Sequence, residues 1–134
     1  MLKLNNKGQS LVLFIVLLPI LLLVIVLVVD VGTIMTSKQD LNNINYMMVD
    51  YGLSNLGKEN LEEEIRKYIV LNDSEIDNMD IRVVDNEVYI NMKKTEKSLI
   101  AHIFNIKDFE IVSEYKGTII NDKKSIERIK WFYD

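Results

Sequence analysis

The sequence predicts an α+β protein: a long N-terminal transmembrane helix, then a small extracytoplasmic domain with a second helix and a β-β-α-β sheet. Three observations predict it. Residues 11–29 contain no polar side chain. The 104 residues after Asp30 hold 14 basic and 19 acidic side chains, the composition of a water-soluble domain. Within that domain the apolar spacing changes from helical in the first part to alternating from about Ile81 onward.

The apolar run comes first. Nineteen residues at about 1.5 Å each make about 28 Å of helix, close to the thickness of a bilayer's hydrocarbon core. Eighteen of them are Leu, Ile, Val or Phe, whose summed insertion energies outweigh the cost of Pro19. Pro19 removes one helical hydrogen bond, to the carbonyl of Ile15, and is expected to bend the helix. Lys3 and Lys7 precede the run with no acid among them, whereas Asp30, Lys38 and Asp40 follow it. The positive bias places the N-terminus in the cytoplasm and residues 31–134 outside. A cleaved secretory signal peptide is the weaker reading. The run exceeds the usual apolar core of such peptides, and Val29, Asp30 and Val31 offer no small-residue cleavage site.

Beyond Gly32 the helical pattern continues, with Ile34, Leu41 and Met48 spaced by seven and Ile44 and Tyr51 between them. Gly52 and Gly57 are the expected stops, so one helix runs from about Gln9 to Leu53. Its outer stripe serves as a stalk, packs on the chain's own domain, or does both. Lys58–Leu71 reads as a second helix, with Leu61, Ile65, Tyr68 and Ile69 on one face and Glu62–Glu64 early, where the helix dipole favours anions. Asn72–Asp80 reads as a polar loop. Its Asp73, Glu75 and Asp77 resemble the start of a calcium loop, but Asn78 and Val84 stand where glycine and glutamate are needed.

Residues 81–84 and 87–92 read as a hairpin across Asp85-Asn86, with Val88, Ile90 and Met92 on the buried face. Lys97–Asn105 is expected to form a short helix burying Leu99, Ile100, Ile103 and Phe104. Phe109–Ile120 reads as a long third strand. Trp131, Phe132 and Tyr133 end the chain and are expected to close the core or to dock on a partner or the membrane interface.

Composition excludes most chemistry. The whole chain has 16 Lys+Arg against 20 Asp+Glu, a net charge of -4, and its Lys93-Lys94 and Lys123-Lys124 pairs are diluted by acids. Nucleic acid is therefore not an expected partner. There is no cysteine, which removes disulfides, thiolate nucleophiles and cysteine-bound zinc, and His102 is the only histidine. Ser10 has no base beside it, and five glycines form no phosphate-binding loop. No enzymatic activity, cofactor or metal is expected.

The N-terminal residues carry a resemblance. Gly8 closes a short basic segment and is followed by Gln9, Ser10 and the apolar run, a pattern similar to the leader of type IV pilin-like proteins. More narrowly, Gly8-Gln9-Ser10-Leu11-Val12, Phe14, Pro19 and Asp30-Val31-Gly32 resemble the opening of the TadE/TadG-like minor pilins (pseudopilins) of the tight-adherence (Tad/Flp) pilus. Pro19 stands eleven residues after Gly8 and Asp30 twenty-two after it, in that family's register. At the fifth residue after the glycine this chain has Leu13, where pilin-like proteins usually carry glutamate. A carboxylate in hydrocarbon requires a partner amine, so its absence points to a subunit that starts or caps a filament, or to a membrane-resident accessory protein.

The resemblance implies cleavage by a prepilin peptidase between Gly8 and Gln9. It further implies assembly roles for Pro19, Asp30 and Gly32, and as partners the membrane, other pilin subunits and a membrane platform with its ATPase. The expected domains are a cytoplasmic leader (1–8), a transmembrane helix (9–31), a helical stalk (32–56) and an extracytoplasmic α+β domain (57–134). The alternative is a permanently anchored single-pass protein whose outer domain binds a ligand or partner.

Overall fold

A computed structural model of the protein describes residues 6–129. Trp131, Phe132 and Tyr133 lie outside the described residues. The chain forms helix α1 (Asn6–Ser54), helix α2 (Leu61–Asn72), strands β1 (Asn78–Val84) and β2 (Glu87–Glu96), a short helix α3 (Leu99–Ile103), and strands β3 (Phe109–Ile120) and β4 (Lys123–Arg128). The four strands make one antiparallel sheet in the order β1-β2-β3-β4, so the architecture is α+β with a helical anchor.

Helix α1 is 49 residues long and uninterrupted through Pro19, about 70 Å at the usual rise. Its apolar run is exposed to the surroundings, whereas Leu41, Met48, Val49 and Leu53 are buried. The heptad-spaced stripe packs on the sheet and also on α2. Gly52 is not a stop. It is buried inside α1, where a Cβ would sit 3.0 Å from Val88 Cγ1 on β2. The helix ends two residues later, and Gly57 supplies the left-handed turn at φ 91° that leads to α2. On the facing strand Gly117 allows the closest approach: a Cβ there would meet Val49 Cγ1 at 2.5 Å and Leu53 Cδ1 at 2.7 Å.

Helix α2 buries Leu61, Ile65 and Ile69 as its periodicity requires and leaves Tyr68 half-exposed, edge-on to Tyr51 with ring centroids 5.4 Å apart. In the hairpin Val88, Ile90 and Met92 alternate inward and are fully buried, with Ile81 opposite Ile90. The ladder extends further than the apolar residues alone indicate: β1 begins at Asn78 and β2 continues to Glu96. The fourth strand is an addition to the expected β-β-α-β order. Asn121 and Asp122, both at positive φ (52° and 62°), form the two-residue turn that folds β4 back on β3.

Helix α3 departs most from expectation. It spans only five residues, and Leu99, Ile103 and Phe104 are exposed at 55%, 59% and 61%. The buried residue is Ala101. Ile100 is half-buried, and the reason is placement: α3 packs against α1 rather than on the sheet, so Ala101 and part of Ile100 face the protein while the longer apolar side chains do not.

Candidate anchor and assembly site

The residues singled out by the N-terminal pattern all lie on α1. Gly8 and Gln9 occupy its first turns, exposed and with open space where a Gly8 Cβ would be. The peptide bond between them is therefore helical, and extending it requires this end to unwind. A glycine in a helix costs about 1 kcal/mol relative to alanine, which eases that unwinding. Ser10 donates its hydroxyl to the carbonyl of Asn6 at 3.1 Å, so its polar group is satisfied within the helix. Leu13 and Pro19 face outward among the exposed apolar side chains.

Asp30 is different. It ends the apolar run, yet it is 6% exposed, because the chain's own α+β head closes over it. Its carboxylate accepts hydrogen bonds from Ser98 Oγ at 2.6 Å, from the Leu99 amide at 3.0 Å and from the Ile100 amide at 2.7 Å. Ser98 Oγ in turn accepts from the Ala101 amide at 3.1 Å, as an N-cap does. Asp30 and Ser98 together thus satisfy the N–H groups of the first three residues of α3, which no helical carbonyl can reach. The negative charge also sits at the end of α3 where the peptide dipoles favour it.

A second tie lies two turns further along α1, where Ser37 Oγ donates to Glu96 Oε2 at 2.9 Å. A third is at Asn45, fully buried on the stripe that includes Leu41 and Met48. Its Nδ2 donates to the Ile90 carbonyl at 3.1 Å and to the carbonyl and hydroxyl of Ser113 at 3.0 and 3.1 Å. Asn45 and Ser98 were not legible as contact residues, although both left a trace. Asn45 is a polar residue at a core position of the helical stripe, and Ser98 directly precedes an apolar helical run.

Gly32 lies just beyond Asp30 on α1, exposed and with nothing within 4 Å of a built Cβ. The acidic loop holds no calcium-like arrangement: Asp73 accepts from the Glu75 amide at 3.0 Å and pairs with Lys94 at 2.8 Å. His102 is exposed on α3. No cluster of three or more potential metal ligands occurs among the described residues.

The molecule so described has the build of a membrane-anchored protein. One exposed apolar helix, long enough to cross a bilayer, continues without a break into a small α+β head. Residues 8–44 match the family model described as "Putative Flp pilus-assembly TadE/G-like". The match begins at Gly8, passes through Pro19, Asp30 and Gly32, and stops before the sheet begins, so the similarity covers the apolar run and the first part of the outer stretch of α1 and not the head. No curated protein and no solved structure matches the chain.

Proposed function

We propose that the protein is a minor pilin-like, membrane-anchored structural component of a tight-adherence pilus or related secretion apparatus, with no catalytic role of its own. The observation that carries this reading is the continuity of α1. The family-matched segment is one helix with the apolar run and with the spine on which the outer sheet packs, so lateral packing of the anchors would set the positions of the heads. In this reading residues 1–8 are a cytoplasmic leader removed between Gly8 and Gln9 by a prepilin peptidase. Residues 9–31 span the cytoplasmic membrane, residues 32–56 are the stalk, and residues 57–134 form the extracytoplasmic domain.

Gly32, open on its outer side, admits a neighbouring pilin helix, and Pro19 supplies a weak point at which the anchor can bend during transfer. Leu13 removes the buried carboxylate that would otherwise pair with a neighbour's amino terminus, which suits a subunit that starts or caps a filament or stays in the membrane beside the platform and its ATPase. Mass spectrometry of the native protein tests the reading. The expected result is an N-terminus at Gln9, lost in a Gly8→Phe variant together with pilus output. An intact leader, or unchanged pilus output in that variant, would favour a permanent anchor with a partner-binding head.

A further inference from the structure

The geometry points to α3 and the loop after it as a membrane-docking knuckle that seats the outer domain on the lipid surface around its own anchor. The inference rests on the membrane-spanning reading of residues 11–29 and concerns what the head does once that span is in place.

The exposed apolar side chains of the head are not spread evenly. Leu99, Ile103, Phe104 and Ile106, with Phe109 beside them, fall within eleven residues and are each 45–61% exposed. Their height is set by Asp30. Because the carboxylate that ends the apolar run lies 2.7–3.0 Å from the backbone of Leu99 and Ile100, α3 begins at the level where the hydrocarbon core ends. Among residues 11–29 every side chain is exposed except Val26, which is half-buried one turn before Asp30 on the same face. The α3 end of the head is thus joined to α1 where the apolar run ends.

A water-facing patch of this kind would be costly, whereas insertion of the same side chains at the headgroup boundary is favourable at about 25 cal/mol per Å² buried. Polar groups at this end are arranged to match. Lys97 and Lys107 are exposed around the patch, where long basic side chains reach lipid phosphates, and the polar His102 is exposed between them in sequence. The nearby acids are engaged: Asp108 accepts from the Ser98 amide at 3.4 Å and Glu110 pairs with Lys93 at 3.7 Å. The α3 backbone can enter this boundary because Asp30 and Ser98 occupy its leading N–H groups. The occupant is therefore the outer leaflet of the membrane the chain crosses.

The cysteine-free chain makes the test direct. Single-cysteine variants Val16→Cys, Phe104→Cys and Val84→Cys are spin-labelled in nanodiscs of phosphatidylcholine and phosphatidylglycerol holding one copy each. Val84 is the control, an equally exposed apolar residue (61%) at the hairpin turn on the opposite end of the sheet. The expected result is that the Phe104 label collides severalfold more with dissolved oxygen than with a water-soluble nickel chelate, as the Val16 label does, while Val84 shows the reverse. A lipid-like Val16 with a water-like Phe104 would overturn the knuckle and leave the anchor standing. A water-like Val16 would overturn both. Protection of Phe104 seen only in discs with two copies would assign the patch to self-association and equally overturn the inference.

Discussion

Asp30 ties α3 to α1, because three donors at the start of α3 converge on one carboxylate. Asp30→Ala leaves two amides and a hydroxyl without that acceptor and is expected to lower the stability of the head by about 3 kcal/mol, read by chemical unfolding in detergent micelles. Asp30→Asn, which keeps one acceptor oxygen, recovers part of the loss. Asn45 is the second case. Asn45→Ala strands the Ser113 hydroxyl and opens a void between α1 and the sheet, an expected loss of about 2 kcal/mol by the same measurement. Gly117 offers the sharpest sign. Glycine to alanine in a strand ordinarily stabilises, yet here the added Cβ would sit 2.5 Å from Val49 Cγ1. Gly117→Ala is therefore expected to cost about 1–3 kcal/mol, and a gain in unfolding midpoint would contradict the close packing of α1 on β3.

At the scale of elements, α1 and α2 are joined by a polar knot as well as by core side chains. Glu64 accepts from the Tyr51 hydroxyl and from Lys58 Nζ at 2.9 Å, and these partners, the tyrosine hydroxyl first, hold its carboxyl below the ordinary glutamate value of 4.5. A lowered folded value means the contribution is present above the unfolded value and is lost as pH falls through the folded one. The stability difference between the native protein and Glu64→Gln should therefore be constant near neutrality and shrink as pH drops below about 4.5, followed by denaturant titrations across that range.

The elements also differ in how legible they were. The α1 rod, α2, the hairpin and β3 follow from periodicity, because each presents one apolar face to a core and periodicity records that face. Strand β4 was hidden because Lys123-Lys-Ser-Ile-Glu-Arg128 has one apolar residue and lies at the sheet edge, where ladder bonds and the Asn121-Asp122 turn decide. Helix α3 was misjudged for a related reason. Its Leu, Ile and Phe have the spacing of a buried face, and spacing alone does not say whether the apolar medium is protein or lipid. Of the candidate site, Gly8, Pro19 and Asp30 stood out by register. The partners of Asp30 did not, since they are 68–70 residues away in sequence.

The whole molecule is a rod with a head clasped to it. The clasp is distributed along α1, at Asp30, Ser37, Asn45 and Asp50, the last pairing with Lys124 of β4 at 3.0 Å. Movement of the apolar end of α1 is therefore transmitted to the head without a flexible linker. The most direct measurement of this account is the side of the membrane on which the head resides. Ser74→Cys places one thiol on the exposed loop between α2 and β1. In cells with a sealed cytoplasmic membrane it should react fully with an impermeant maleimide, and the protein should stay in the membrane pellet through alkaline carbonate. Labelling that appears only after lysis, or release of the protein by carbonate, would contradict the account.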